Sequence, residues 1–459
     1  MTGLDEHPPA PEADAISVAD LVRDVAIALH DGDSATAANL VIGLHPRDLA
    51  DVIELLSPEH RVALIHALGP AFNYDVLSEI DEAVRDQLSE ALPNELLAKA
   101  VTELDTDDAA YLIENLEEED REEILAQLPK GERAALERQL EYPEDSAGRL
   151  MQSDFVAVAP YWTVGQVIEH ARETDDLPET FSEIFVVDPA FRVVGSVDLS
   201  RLLRTKKDVP VSDIMEADLD TVLATADQEE VARQFERYNL ISAPVIDEHG
   251  KLVGVITVDD VVEVIQDEAD EDMRALGGVG DESIGDSVVQ TAKSRVPWLI
   301  VNLGTAVLAS FVIKIFDATI EQMVARAVLM PVVASIGGNA GTQTMTVTVR
   351  ALATNKLGAA NAPRIISRET MVGLLNGLVL SAIMALIVFL WCGSSRLGAV
   401  IGTAMIVNLL AAALAGILIP LALDRLKLDP APASGVFVSM ITDCVGFFAF
   451  LGLASLILF

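Results

Sequence analysis

The 459-residue sequence predicts a multidomain membrane protein. An all-α helical-repeat domain comes first, an α/β domain of two tandem copies follows, and an α-helical membrane domain with five transmembrane helices comes last. Three observations predict this order. Short amphipathic segments fill the first third of the chain, one motif occurs twice in the middle third, and long apolar runs fill the last third.

The charge of the chain changes where its hydropathy changes. Residues 1–286 contain 66 acidic and 20 basic residues, a balance of −46, whereas residues 287–459 contain 6 acidic and 11 basic residues. A surface that acidic repels nucleic acid and attracts cations, including divalent metal ions. The charge therefore indicates divalent cations as partners and excludes nucleic acid.

The sequence contains no pattern typical of an enzyme site. It has no phosphate-binding glycine loop, no Cys/His metal cluster and no pairing of a nucleophile with a histidine. The two cysteines, Cys392 and Cys444, lie in apolar segments and predict no disulfide framework. We therefore expect a protein that is not an enzyme.

The first 145 residues predict a short tail and a helical domain. Residues 1–15 are acidic and Pro-rich, which predicts a disordered tail, and they lack the pattern of a secretory signal. From 16 to 145, segments such as LADVIELL and DDAAYLIENL place apolar residues three and four positions apart. Turns such as LSPEH and LPNE separate them, which predicts stacked helical pairs. Because no secretory signal is expected, we expect this part to stay in the cytoplasm.

A twofold internal repeat lies within residues 146–268. The stretch EIFVVDPAFRVVGSVDLSRLL (183–203) matches SAPVIDEHGKLVGVITVDDVV (242–262) at an offset of 59. Each copy predicts a strand, a turn, a strand and a helix, and an amphipathic helix precedes each copy. The tandem unit resembles a pair of cystathionine-β-synthase-type (CBS) modules. The resemblance implies a ligand-sensing regulator, for which ATP is one candidate ligand.

The last third of the chain predicts a multi-pass domain in the plasma membrane. An acidic connecting helix (269–294) leads into a transmembrane domain (295–459), where each apolar run is near the roughly 20 residues that cross a bilayer. Basic residues gather before the first run and after the second and fourth, which predicts a cytoplasmic N-terminus and an outside C-terminus. The five runs are about 296–316, 324–349, 370–392, 398–423 and 433–458.

Two features of the apolar runs indicate a pore. Asp443 lies well inside the fifth run, where a carboxylate costs at least about 2.5–3.5 kcal/mol. It predicts a charge that binds a cation in a watery pathway, or else a neutral acid bonded to a neighbouring helix. The second run contains SIGGNAGTQT, in which Gly337, Gly338 and Gly341 favour close packing or an unwound helix, and Asn339 adds an amide oxygen. A small-residue packing face is the alternative to a pore.

Motifs distributed over almost the whole chain resemble those of MgtE-type magnesium channels. In order, they are YPEDSAGRLM, DQEEVA, GVITVDDV, DEADED, GGNAGTQ, VRALAT and LDPAPASG with SMITDCVG. The resemblance implies a homodimer whose pore lies on the dimer axis, between the second and fifth spans. It makes Asp443 the pore aspartate that holds a largely hydrated Mg²⁺, and it places Gly337, Gly338, Asn339 and Gly341 in the filter segment.

The resemblance also implies control by internal Mg²⁺. Six acidic residues match Mg²⁺-sensing positions of the soluble part: Asp227, Glu229, Asp260, Glu268, Glu271 and Asp272. A seventh, Asp429, matches the membrane-side partner of one such site. The sequence departs from the family at Asn239, where an acidic ligand can stand, and at Gly435, where some members have a pore Asn.

The expected function is therefore a Mg²⁺-selective uptake channel that closes when Mg²⁺ binds the acidic soluble domains. A coupled divalent-cation transporter or exporter on the same fold is one alternative. A CBS-bearing membrane sensor that conducts nothing is the other.

Overall fold

The computed structural model describes residues 17–458, apart from 175–176, 179, 281–287, 324–327, 355 and 359. The predicted tail (1–15) lies outside the described residues. The chain forms two compact units, a first unit of residues 1–268 and a second unit of residues 269–459.

The first unit begins with an all-α domain, as the periodicity predicts. Proline lies in the first turn of two of its helices, where a missing N–H leaves no hydrogen bond broken. One continuous apolar core joins these helices. The helices are α1 (Val18–His30), α2 (Ser34–Val41), α3 (Pro46–Leu55), α4 (Pro58–Leu68), α5 (Glu82–Ala91), α6 (Asn94–Glu103), α7 (Thr106–Ile113), α8 (Glu118–Gln127) and α9 (Lys130–Leu140).

Two three-stranded sheets follow, one in each copy of the internal repeat. In both, a short parallel strand pairs with the first strand of an antiparallel hairpin. Glu183 pairs with Asp198 in the first hairpin and Ser242 with Thr257 in the second, so the register repeats at the offset of 59. The elements are α10 (Ala147–Leu150), β1 (Ala157–Val158), α11 (Val164–Glu173), β2 (Glu183–Val187), β3 (Val193–Asp198), α12 (Leu199–Arg204), β4 (Val222–Leu223), α13 (Gln228–Tyr238), β5 (Ser242–Ile246), β6 (Leu252–Thr257) and α14 (Val258–Leu276).

The two copies contact each other through equivalent positions. Arg192 and Lys251, which are 59 residues apart, form a backbone bridge between the copies. The Ser242 hydroxyl donates a hydrogen bond to the Glu183 carboxylate at 2.7 Å, and these residues are also 59 apart. The predicted tandem pair is confirmed as a pseudo-twofold α/β domain.

The helical domain is attached by a nearly buried ion pair to α10, which packs on the second copy. The Arg149 guanidinium lies 2.8 Å from the Glu114 carboxylate, and the two side chains are 10% and 15% exposed. The Gln139 amide donates to the carbonyl oxygens of Arg149 and Met151, each at 2.8 Å. Removing one partner of such a pair is costly because the other charge stays buried.

The second unit is a bundle of long helices. Helix α14 ends in this unit at Leu276, where Gly277 and Gly278 follow, and Gly278 has a positive φ of 69° that suits a glycine after a helix end. The predicted connecting helix falls partly on residues 281–287, which lie outside the described residues. The remaining helices are α15 (Val288–Ile315), α16 (Asp317–Met323), α17 (Met330–Ala353), α18 (Ala362–Cys392), α19 (Ser395–Arg425) and α20 (Pro430–Ile457).

Four helices of the described chain are long and apolar enough to cross a membrane: α15 from Thr291 onward, α18, α19 and α20. The prediction of a C-terminal helical region with long apolar helices is confirmed. Helix α17 has 24 residues, so its length of roughly 36 Å suffices for a bilayer. It is not among the four, because the Gly, Asn, Gln and Thr residues of its sequence lower its hydropathy.

Candidate functional site

The glycine segment of α17 is helical and packs closely against its neighbours. Helix α17 is continuous from Met330 to Ala353, and Pro331 lies in its first turn, so the predicted alternative of an unwound segment is wrong. Gly337 is buried, and a Cβ at this position would lie 2.0 Å from Nδ2 of Asn408. A Cβ on Gly341 would lie 2.5 Å from a methyl group of Val438. These two glycines let α19 and α20 approach α17.

The backbones of α17 and α19 approach each other closely at Gly416 of α19. A Cβ on Gly416 would lie 2.8 Å from the Gly341 carbonyl oxygen and 3.1 Å from the Met345 backbone nitrogen. We expect Gly416→Ala to lower the free energy of unfolding by about 1–3 kcal/mol, because a rigid backbone must move. Thermal unfolding in detergent measures this loss.

Gly304→Ala is the matched control for that substitution. Gly304 lies in α15 with no atom within 4 Å of the added methyl group, so stability should stay the same or rise slightly. Equal stability losses in the two variants would contradict the packing role of Gly416.

A row of polar side chains follows one exposed face of α17. We call it the polar stripe: Ser335, Asn339, Thr342, Thr346 and Arg350, with Gln343 beside it, all exposed in the single chain. Their spacings of three and four residues put them on one helix face. The hydroxyls of Thr342 and Thr346 donate to carbonyl oxygens one turn earlier, at 3.1 and 3.0 Å. The amides of Asn339 and Gln343 make no hydrogen bond within the described chain.

Asp443 lies beside the glycine segment, on α20. It is half-buried, and no described residue forms a hydrogen bond or ion pair with its carboxylate. The preceding residue, Thr442, faces α17: its Cγ2 would lie 3.6 Å from a Cβ on Gly341, and its Oγ1 3.9 Å from one on Gly338. The alternative of a neutral acid bonded to a neighbouring helix therefore finds no bonding partner in the described chain.

The end of α14 lies against two helices of the second unit, α17 and α20. Ala275 and Leu276 pack on an apolar cluster that includes Val349 of α17 and Ala431 of α20. Asp272 precedes Leu276 by one turn and so lies on the same face of α14. The packing brings one of the predicted sensing residues to the ends of α17 and α20.

Asp272 and Asp429 are brought close together at this point. Burial and then the negative charge of Asp429 raise the pKa of the Asp272 carboxyl, whereas the positive charge of Arg350 opposes the rise. Asp429 caps α20, and its carboxylate accepts the backbone N–H of Ala431 at 2.8 Å. Glu271, the adjacent predicted residue, is exposed.

A second acidic group lies in the first unit, between α7 and α14. Asp107 is 3% exposed, and its Oδ1 has no hydrogen-bond partner among the described residues. Burial raises the pKa of Asp108 to about 7, and the charge of Asp260 adds to the rise. Burial likewise raises the pKa of Asp260 to about 7, although its carboxylate accepts a hydrogen bond from Thr257 at 2.6 Å. We call Asp107, Asp108 and Asp260 the buried acidic cluster.

Sequence reasoning selected Asp260 but missed its two partners. Asp107 and Asp108 lie in the first turn of α7, where acidic residues are common because they suit the helix dipole. The only sequence signal was a pair of adjacent acids at the start of an otherwise apolar helix, which also fits an ordinary solvated helix end.

The other predicted sensing residues lie at the start of α13 and on α14. Asp227 caps α13 by accepting the Glu229 N–H at 2.9 Å, and Glu229 pairs with Arg233 at 2.8 Å. Glu268 accepts the side-chain amide of Gln228 at 2.9 Å. Within the described ranges, no group of three or more His, Cys, Asp or Glu side chains has the arrangement of a complete metal site.

One of the two departures from the family motifs has a local explanation, that at Asn239. Asn239 ends α13 in the left-handed conformation, with φ 54° and ψ 47°, which Asn adopts more easily than other non-glycine residues. Gly435 lies near the Met345 side chain, whose Cε would be 3.9 Å from an added Cβ.

The helical domain, the CBS-like pair and the bundle of apolar helices with an unpaired carboxylate are together typical of a multi-pass membrane transport protein. Family models match the chain at residues 44–145 ("MgtE intracellular N domain"), 147–208 and 211–267 ("CBS domain") and 330–453 (MgtE, "Divalent cation transporter"). The chain belongs to the MgtE family.

Curated relatives match over nearly the full length. "Magnesium transporter MgtE" of Thermus thermophilus is 34% identical over 440 residues, which cover 94% of this chain and 97% of the relative. The protein of that name from Bacillus subtilis is 29% identical over 437 residues, 95% of this chain and 97% of the relative. These relatives are transporters and not enzymes.

A solved structure also resembles part of the chain. It is described as the cytosolic domain of the Mg²⁺ channel MgtE in complex with ATP, and it is 32% identical. The match covers 53% of this chain and 99% of that one, with a TM-score of 0.49.

Proposed function

We propose that this chain forms a homodimeric, Mg²⁺-selective channel of the plasma membrane, with α17 as a fifth transmembrane helix. The observation that carries the proposal is the exposed polar stripe of α17 beside the unpaired carboxylate of Asp443. Unpaired amides facing lipid cost several kcal/mol each, since lipid offers no hydrogen bonds. A second copy against this face would enclose the polar groups around a watery path.

Asp443 would supply the charge that selects the ion. Two carboxylates related by the dimer axis carry two negative charges, which one divalent cation neutralises and one monovalent cation does not. Mg²⁺ releases its water ligands reluctantly, so a path lined by Gly338, Asn339 and Thr342 would recognise the hydrated ion through its water shell. Gly337 and Gly341 would support this lining from the packed side of α17.

The acidic groups would make the channel sense internal Mg²⁺. Mg²⁺ prefers carboxylate oxygens, and it would relieve repulsion in the buried acidic cluster and between Asp272 and Asp429. Asp227, Glu229, Glu268 and Glu271 would add ligands that assemble only in the metal-bound state. Because that state holds more metal, rising Mg²⁺ shifts the population toward it. The end of α14 would then hold the membrane helices closed.

Orientation and nucleotide binding are further parts of the proposal. The basic residues near the ends of the apolar helices support a cytoplasmic N-terminus and an outside C-terminus. A CBS pair that binds ATP would add a second ligand to the sensor. Titration calorimetry of the purified protein with ATP tests this part.

Electrical recording of the purified protein in liposomes tests the proposal as a whole. We expect a current that reverses at the Mg²⁺ equilibrium potential, stays the same when Na⁺ and H⁺ gradients are changed, and falls as Mg²⁺ rises on the side of the soluble domain. A reversal potential that follows Na⁺ or H⁺ would favour the coupled transporter. An absence of Mg²⁺ flux would favour the non-conducting sensor.

A further inference from the structure

Asn408 is a fully buried polar residue in the middle of α19. Its side chain is 0% exposed. The Nδ2 atom donates a hydrogen bond to the carbonyl oxygen of Val333 on α17 at 2.8 Å. The Oδ1 atom has no hydrogen-bond partner among the described residues, which is costly for a buried amide. Neither the polar stripe nor the acidic groups involve this residue.

The amide of Asn408 occupies a slot formed by two glycines, one on each helix of the candidate pore. A Cβ on Gly337 would lie 2.0 Å from Nδ2, and a Cβ on Gly446 would lie 2.9 Å from the same atom. A side chain larger than glycine at either position would collide with Asn408. The three residues therefore form one packing unit that joins α17, α19 and α20.

This packing unit lies directly beside the candidate ion site. Gly337 precedes Gly338, which faces Thr442, and Gly446 follows Asp443 by three residues, or about one helical turn. A shift of the Asn408 amide would move the glycine segment and the Asp443 turn relative to each other. The hydrogen bond to Val333 fixes α17 one turn before Gly337.

We propose that Asn408 is a positioning residue that sets the distance between the glycine segment of α17 and Asp443 of α20, and hence the fit of the hydrated ion. This inference rests on the proposed function. Asn408 does not line the path itself, and it acts on the ion only through the two helices it contacts. Its planar amide suits a slot between two glycines, and its N–H group holds α17 in register.

A double-mutant cycle on the full-length protein in liposomes tests this. The variants are Gly337→Ala, Asn408→Ala and the two combined, and the measurements are maximal Mg²⁺ flux, half-saturating Mg²⁺ and the Mg²⁺ to Ca²⁺ flux ratio. Gly337→Ala alone should lose most of its flux, because the new methyl group collides with Asn408. The double variant should recover flux, because the smaller residue vacates the slot.

Asn408→Ala alone should change the ion fit while the protein still assembles. We expect the half-saturating Mg²⁺ concentration to rise by at least about fivefold, because that is the effect of losing one neutral hydrogen bond. We also expect the ratio of Mg²⁺ flux to Ca²⁺ flux to fall. The matched control is Asn376→Ala on α18, an exposed asparagine at membrane depth, which should leave both readouts unchanged. If Asn408→Ala does not assemble, Asn408→Ser leaves a smaller void and should show the same shift.

Two results would overturn the inference. The first is a lower melting temperature for Asn408→Ala with an unchanged half-saturating Mg²⁺ concentration and an unchanged Mg²⁺ to Ca²⁺ flux ratio. Asn408 would then contribute only to packing and not to the fit of the ion. The second is a double variant no more active than Gly337→Ala. Failure of the proposed function would look different, since wild-type protein would then conduct no Mg²⁺ or Asp443→Ala would conduct normally.

Discussion

Asp443→Ala should reduce Mg²⁺ flux to that of protein-free liposomes while the protein still assembles. The carboxylate is half-buried in the middle of α20, an apolar helix long enough to cross a membrane, and no described residue neutralises it. A hydrated divalent cation in a narrow path through lipid loses the stabilisation of bulk water and needs a fixed negative charge in exchange. Removing the charge from both copies leaves only neutral oxygens to stabilise a divalent ion.

Asp443→Asn separates charge from shape in the same experiment. The amide keeps the size of the side chain, so a loss of flux nearly as large as that of Asp443→Ala would assign the effect to charge. The matched control is Asp424→Asn, which removes an exposed carboxylate at the end of α19 and should leave flux near the wild-type value. Normal Mg²⁺ flux in Asp443→Ala would refute the proposed pore.

The fold was predictable from sequence wherever the signal was local and periodic. The offset of 59 predicted two equivalent β-β-α units, and the structure gives both hairpins the same register because each copy carries the same alternation of apolar residues. Four of the apolar runs correspond to α15, α18, α19 and α20, since twenty consecutive apolar residues leave few alternatives.

The glycine segment shows where this reasoning reached its limit. Gly337 and Gly341 permit either an unwound helix or close packing, and nothing in SIGGNAGTQT decides between the two. The outcome depends on Asn408 and Val438, which lie on other helices about 70 to 100 residues along the chain and fill the space beside the glycines. Asp108 is a similar case, because burial and then the charge of Asp260, about 150 residues further along the chain, raise its pKa.

The sequence predicted which residues belong to the candidate ion site. It did not show whether these residues find their partners within one chain. Asp443 was conspicuous as a single charge in an apolar run. That its carboxylate has no partner in the described chain, and that the polar stripe is exposed, could be learned only from the packed bundle. A second copy, as proposed, would cover both features, and a single sequence does not display it.

The buried acidic cluster gives the second large expected effect, a loss of Mg²⁺ control. In Asp108→Asn/Asp260→Asn, two carboxylates that repel each other become neutral amides of the same shape. We expect the helical domain to stay packed on the CBS-like pair without Mg²⁺, so that Mg²⁺ no longer changes its protease sensitivity. Flux should likewise become insensitive to Mg²⁺ on the side of the soluble domain.

The pKa values of the cluster fix the sign of its pH dependence. The pKa of Asp108 and of Asp260 rises from 3.8 to about 7 when they are buried, so the packed state binds protons more tightly than the unpacked state. Packing is therefore stabilised as pH falls through about 7 toward 4, and this stabilisation is lost as pH rises through about 7. In a metal chelator, lowering the pH from about 8 to about 6 should raise the melting temperature of the first unit within the full-length protein by at least about 3 °C.

Mg²⁺ and protons should replace each other at this cluster, since both remove the same repulsion. Saturating Mg²⁺ should therefore abolish most of the pH dependence in the wild type, and Asp108→Asn/Asp260→Asn should show little pH dependence with or without metal. The control variant Glu118→Gln/Glu119→Gln removes the same number of charges from an exposed part of α8. It should keep both the pH dependence of the melting temperature and the response to Mg²⁺. If the control and the cluster variant respond alike, the net acidity of the soluble domain, and not this cluster, is what senses Mg²⁺.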